Sequence, residues 1–193
     1  MKKYIFEKGK WDESEMFYAY SPACADRATF RQEESAIVNG KGNSFFGYEM
    51  IPMFETKKRS KGMLAQADCL FESFGAPLIV ITNDITKDKS GYFVYGQYFE
   101  VVAYEKGINI WFVKPNKEGA ECPIDPTLLA TKEFAILPNT RSDIKMQIEG
   151  NLIKGWVNGE YLEAKADNLP DEFYVGITAC EGINRFYSFT VQD

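Results

Sequence analysis

The sequence contains no histidine. That absence removes Ser-His and Cys-His nucleophiles, imidazole metal sites and the histidine acid-base. Catalysis would fall to carboxylates, Lys, Tyr, Cys or a bound ion. Cysteine is sparse: Cys24, Cys69, Cys122 and Cys180 lie far apart with no C-x-x-C pair, which argues against a zinc site. Reduced thiols in a cytosol are the expectation, with Cys69 acting as a small hydrophobe in its strand. Long apolar runs are also missing. The longest, residues 76–81, has six residues against the ~20 that span a bilayer, so no membrane partner is expected. Only five arginines occur, in a chain of 22 basic and 28 acidic residues with net charge −6. No nucleic-acid partner is expected of such a chain. Residues 1–11 carry early lysines but no apolar h-region and no small-residue cleavage site. No signal peptide is read, and a cytoplasmic location is expected.

What is present is aromatic: 15 Phe, 11 Tyr and 3 Trp in 193 residues. A chain of this length buries roughly 70% of its unfolded surface, enough for a core without staples. Short runs rich in Val, Ile, Phe, Tyr and Trp alternate with Asn-Gly, Lys-Gly, Glu-Gly and Pro-containing turns. Strands are expected over 28–39, 45–56, 63–71, 77–83, 91–104, 108–114, 132–137, 143–149, 152–158, 160–163, 172–179 and 184–192. The one short helix expected lies near 126–131. No linker or repeat interrupts the pattern, so residues 1–193 are expected to form a single all-β domain.

Three hairpins can be registered. A turn over residues 105–108 pairs Tyr104 with Asn109 and Val102 with Trp111. One face then carries Phe99, Val101, Ala103, Ile110 and Phe112, and the other Tyr98, Glu100, Val102, Tyr104, Asn109 and Trp111. A turn at Gly150-Asn151 pairs Ile148 with Ile153 and Ile144 with Val157. Asn158-Gly159 is a type I′ signal that sets Trp156 against Tyr161, away from the core.

The stretch from Ile144 through Gly150, Trp156-Val157-Asn158-Gly159 and Tyr161 is followed by Tyr174-Val175-Gly176-Ile177. Phe186-Tyr187-Ser188-Phe189-Thr190-Val191 then closes the chain. This succession resembles the closing strands of the concanavalin A-like lectin/glucanase jelly rolls, the laminin-G-like branch included. The resemblance covers about the last fifty residues in detail. It implies an antiparallel two-sheet β-sandwich with a sugar-sized groove across a concave sheet. That superfamily holds lectins, glycosidases, lyases and interaction modules, so it implies a fold before any activity.

Several constellations follow. Tyr98, Glu100, Tyr104, Asn109 and Trp111 combine flat aromatics with an amide and a carboxylate, the chemistry that binds a sugar's C–H face and hydroxyls. The alternative is a second core layer beneath a long loop. Gln66 and Asp68 point away from Ala65, Ala67, Cys69 and Phe71, and would join that groove if their strand lies in the concave sheet. A plain polar-out strand is the other reading. The alternating E-x-D-x-E carboxylates of the laminarinase-like glycosidases are absent, and Gln32, Glu33 and Glu34 do not supply them. Glu100 and Asp68 therefore remain the catalytic candidates. No metal ligand set and no cofactor are read. A structural calcium on the loop from Asn83 through Asp84 to Asp88 stands against an Asx-rich turn. Lys57, Lys58, Arg59 and Lys61 are expected to solvate a hairpin tip. The leading function is carbohydrate recognition. A glycoside hydrolase or lyase on the same face, and a sugar-independent interaction module, are the alternatives.

Overall fold

The computed structural model describes residues 1–21, 29–39, 51–117, 120–122 and 124–193. Cys24 and the part of the expected strand at 45–50 lie outside them. Along the chain come β1 (Lys2–Ile5), β2 (Met16–Tyr18), β3 (Arg31–Gln32), β4 (Ile37–Asn39), β5 (Met53–Glu55), β6 (Arg59–Ser60) and β7 (Leu64–Thr82). Then follow β8 (Ile85–Lys87), β9 (Phe93–Tyr95), β10 (Tyr98–Tyr104), β11 (Gly107–Pro115) and β12 (Ile124–Glu133). The last four are β13 (Ser142–Glu149), β14 (Leu152–Val157), β15 (Glu160–Lys165) and β16 (Glu172–Gln192). A single 3-10 turn at Glu13–Glu15 precedes β2, capped by the Asp12 carboxylate. Among the described residues no helix is long and apolar enough to cross a membrane.

The helix expected near 126–131 is instead part of β12. Pro126 pairs with Val113 at the outer edge of the sheet, where a missing N–H leaves no ladder bond unmade. A second correction concerns strand number. The expected pairs 63–71 with 77–83, and 172–179 with 184–192, are each one continuous strand, β7 and β16. These two pair antiparallel along nearly their whole length, with register shifts between Ala179 and Asn184. Gly75 and Gly182, which resemble turn signals in the sequence, lie opposite each other at that bulge.

Each long strand thereby serves two half-sheets. The second half of β7 pairs with β10, and β10 with β11 and β11 with β12. The first half of β7 pairs with β13, which leads to β14 and β15. The halves face each other, β10 near β13, β11 near β14 and β12 near β15, so the sheet doubles over into a jelly-roll β-sandwich. Between them lie Ala65, Cys69, Ile79, Ile81, Val101, Ile108, Ile110, Ile144, Met146, Ile148, Ile153 and Val157, all fully buried. Burying each large aliphatic chain contributes about 1.5–3 kcal/mol. Gly155 faces this core where a Cβ would sit 3.1 Å from Val101 Cγ1, so the sheets approach closely there.

The hairpins at Gly150-Asn151 and Asn158-Gly159 have the expected register. Asn158 and Gly159 both take positive φ, 52° and 89°, as a type I′ turn demands. The β10–β11 hairpin differs. Its turn is only Glu105-Lys106, so Tyr104 pairs with Gly107, Val102 with Asn109 and Glu100 with Trp111. The shift is two residues, an even number, and every side chain keeps its expected face.

Candidate functional site

The outer face of β10 and β11 carries the aromatic and polar side chains expected of it, and the structure divides that face in two. At one end it is roofed. Ala19 and Tyr20 run beside β9, with Tyr20 N–H donating to Phe93 O at 3.0 Å and Tyr95 N–H to Tyr20 O at 3.1 Å. This layer seals Leu78, Val80, Tyr98 and Val102 beneath Ala19, Phe54 and Tyr95. Tyr98 is 1% exposed and packs edge-on against Tyr95, ring centroids 5.2 Å apart. For Tyr98 the core-layer alternative holds, and among the described residues it lines neither the cavity over β10 and β11 nor the grooves beside Asp68 and Tyr92.

At the other end the roof stops, and a cavity of about 240 Å³ opens over the same two strands. Glu100, Tyr104, Asn109 and Trp111 line it together, four of the five groove residues expected there. Glu100 stands directly opposite Trp111 in the ladder and is only 3% exposed. A β-bulge between Ile110 and Trp111 interrupts the pairing with β12 just beside it. Asn109 Oδ1 is buried and has no hydrogen-bond partner among the described residues. An acceptor so placed costs about 1–3 kcal/mol unless a ligand or water supplies a donor.

Two further liners, Cys180 and Glu181, come from the bulge in β16. Burial pushes the Glu181 carboxyl above its ordinary value, and the charge of Glu105 adds to the effect. Sequence reasoning missed both residues, because Glu181-Gly182 resembles a turn between two strands. The available signal was the broken alternation after Ala179.

Gln66 and Asp68 do not join this cavity. They alternate outward as expected, but their part of β7 pairs with β13, in the opposite half of the sandwich. There they line a separate groove of about 620 Å³ with Arg141, Asp143, Ser188 and Thr190. Arg141 grips Asp68 through two hydrogen bonds, Nε donating to Oδ1 at 2.9 Å, and lies 4.0 Å over the Tyr187 ring. On the same outer half Trp156 packs on Tyr161 at 5.1 Å, as the hairpin register required. Gln32 is a tie within the N-terminal region, donating to Phe6 O at 2.8 Å and accepting from Trp11 Nε1 at 2.6 Å.

The remaining constellations serve the backbone and the core. Asp84 accepts from Gln97 N–H at 3.1 Å, and Asp88 from the N–H groups of Ser90 and Tyr92 at 2.8 and 2.9 Å. The Asp88 contacts are of Asx type. Asp84 reaches across thirteen residues to the break in the expected strand 91–104 at Gly96, where a Cβ would lie 1.9 Å from Asp84 Oδ2. Among the described residues no three Cys, Asp or Glu side chains converge as a metal site. Arg59 does not solvate a hairpin tip. It is 5% exposed and grips Glu55, Nε to Oε2 at 2.8 Å and Nη2 to Oε1 at 2.9 Å. A third cavity, about 480 Å³, is lined by Tyr18, Tyr20, Thr29, Ile51, Tyr92 and Phe93. Among the described residues it offers rings and hydroxyls but no carboxylate or amide side chain.

No family model matches the chain, and no curated protein matches it. Solved structures do. The carbohydrate-binding module CBM66 from Bacillus subtilis is 12% identical, with a TM-score of 0.64 over 93% of this chain and 96% of that one. A protein of unknown function with a galectin-like fold, also from Bacillus subtilis, is 9% identical with a TM-score of 0.65, over 100% and 94%. The Bacillus licheniformis beta-glucanase is 10% identical with a TM-score of 0.60, over 100% and 97%. At these identities the likeness concerns the fold: the chain is folded as a concanavalin A-like jelly-roll β-sandwich.

Proposed function

We propose that the protein recognises a carbohydrate, taking one sugar ring into the cavity over β10 and β11. The observation that carries this reading is the joint lining of one small cavity by Trp111, Glu100 and Asn109, with a buried amide oxygen awaiting a donor. Trp111 supplies the flat surface for the C–H face of a pyranose. Glu100 and Asn109 accept from its hydroxyls, and Tyr104 closes one side. The fold shared with a carbohydrate-binding module and with a beta-glucanase agrees with it. The volume lies just below the usual range for small-molecule pockets, which suits a single ring better than an extended chain.

The test is a thermal-shift screen of wild type and Trp111→Ala against mono- and oligosaccharides. A ligand at 100 times its Kd stabilises by about 2.7 kcal/mol, or about 5–10 °C here. A shift seen only in the wild type supports the reading. No shift with any sugar overturns it in favour of an interaction module.

Glycoside hydrolysis is a second reading with an observation of its own. Glu181 shares the cavity with Glu100, and burial favours its protonated form. In that reading Glu181 donates the proton to the leaving oxygen and Glu100 is the partner carboxylate. Asp68 has no part in it, being on the other half-sheet. Hydrolysis of a chromogenic glycoside that both Glu100→Gln and Glu181→Gln abolish is the outcome this reading requires.

A further inference from the structure

Much of the wall of the Trp111 cavity is apolar. Ala76, Val102, Val113 and Ile124 line it, and the same four side chains belong to the core cluster beneath Ala19 and Tyr95. The cavity therefore opens directly onto that core. A hexose covers Trp111 with one C–H face, but hydroxyls surround its rim. A hydroxyl set against these walls gives up water without gaining a partner.

Two lining side chains fix what stands beside the ring. Asn109 and Val102 are opposite each other in the β10–β11 ladder, on the outer face. Side chains so paired have Cβ atoms about 4.5–5.5 Å apart. Trp111 is the next residue of β11 on that face, about 7 Å along the strand from Asn109. A ring lying on Trp111 thus carries one substituent over the Asn109–Val102 pair, which makes two demands at once. Asn109 Oδ1, buried and without a hydrogen-bond partner among the described residues, takes a donor. Val102, 5% exposed, takes an apolar group. A hydroxyl gives the donor and sets a polar atom against Val102. A methyl covers Val102 and leaves the acceptor unmet. An acetamido group brings both, an N–H and a methyl on either side of one carbonyl. Tyr104, which follows Val102 on the same face of β10 and also lines the cavity, has a hydroxyl that can donate to that carbonyl.

We propose that the cavity takes an N-acetylated sugar in preference to its parent hexose, with the acetamido N–H donating to Asn109 Oδ1 and the methyl packed on Val102. This rests on the reading of the cavity as a saccharide site. It identifies the class of sugar, which that reading leaves open.

The experiment is a calorimetric titration of the full chain at pH 7 with N-acetyl-D-glucosamine, N-acetyl-D-galactosamine, D-glucose and D-galactose. Saturation-transfer NMR on the tighter N-acetyl sugar accompanies it. At least one N-acetyl sugar is expected to bind at least about tenfold more tightly than its parent, the discrimination that a single apolar group gives in a pocket. Its acetamido methyl should receive the strongest saturation of all its protons, and Val102→Thr should bring the affinity ratio down toward one. Equal or tighter binding of both parents, or a methyl saturated less than the ring protons, overturns the acetamido selection and leaves saccharide recognition standing. An unchanged ratio in folded Val102→Thr does the same, and if that variant does not fold the methyl saturation decides. Failure of all four sugars to bind overturns the selection, and the wider saccharide screen then judges the underlying reading separately.

Discussion

Gly182 on β16 lies opposite Gly75 on β7, at the point where the two long strands pass from one half of the sandwich to the other. Gly182 has φ +68°, and a Cβ built on it would sit 2.0 Å from Phe74 O, a backbone atom. At Gly75 the backbone is not left-handed, and the nearest atoms would be Asn184 Oδ1 at 2.5 Å, the end of a side chain, and Phe71 Cβ at 2.6 Å, which only its own backbone can move. Gly182→Ala is therefore expected to cost at least about 2 kcal/mol, from the left-handed backbone and a clash that only the strand can relieve. Gly75→Ala should cost less. Urea denaturation of the two variants gives the order, and a smaller loss at Gly182 would contradict this account of the bend.

The buried ion pair makes a second case. Arg59 and Glu55 have side chains 4% and 1% exposed, and the Tyr4 hydroxyl donates to Glu55 Oε1 at 2.8 Å. Removing one member leaves a buried charge without its partner, so Arg59→Met is expected to cost about 3–5 kcal/mol. The double variant Glu55→Met with Arg59→Met should lose less than Arg59→Met alone. Burial, then the neighbouring Glu55, pushes the Tyr4 phenol well above its ordinary range. It should stay un-ionised in an alkaline absorbance titration for as long as the fold survives.

Cysteine labelling separates core from surface. Cys69 is fully buried and desolvation raises its thiol far above the ordinary value, whereas Cys122 is exposed. In the native protein at pH 8, iodoacetamide should modify Cys122 and spare Cys69, with peptide mapping as the readout. Rapid labelling of Cys69 would mean that β7 opens far more readily than its place in the core allows.

Glu181 sets a pH dependence of stability. Its carboxyl is raised above 4.5 in the folded chain, so the folded state favours the proton. The stability from that protonated form is full below the ordinary carboxyl value and is lost as pH rises through the raised one. Glu181→Gln should therefore gain on the wild type as pH climbs through this interval. Denaturation midpoints of both proteins, at pH values on either side of it, test the sign.

Asp68→Asn distinguishes the two halves of the sandwich. The Asp68–Arg141 pair is largely exposed, with side chains 33% and 55% accessible, so its loss should cost under about 1 kcal/mol. It should leave saccharide binding unaltered, because Asp68 lies on the opposite half-sheet. A Kd that changes as much as in Trp111→Ala would mean that the ligand sits over β7 and β13 instead.

The sequence by itself determined which residues alternate, and so which side of each strand faces the core. Ile144, Met146 and Ile148 against Ile153 and Val157 are legible from a turn and a period of two, and both closing hairpins have the register they require. That Glu100 and Trp111 share one outer face was legible for the same reason, even though the expected turn sets Val102 rather than Glu100 opposite Trp111. What only the tertiary structure decided is which strands become neighbours and what lies over them. Local signals at Gly75 and Gly182 are the same for a turn as for a bulge in a continuous strand, so the doubling of the sheet could not be read from them. The neighbours of Gln66 and Asp68 are strands more than seventy residues away in sequence, β13 and β16 rather than β10. Tyr98 and Trp111 share one face and one alternation. Tyr95, brought in by the chain at Ala19 and Tyr20, buries the first and leaves the second beside an open cavity, because burial depends on contacts between distant segments that no local period encodes.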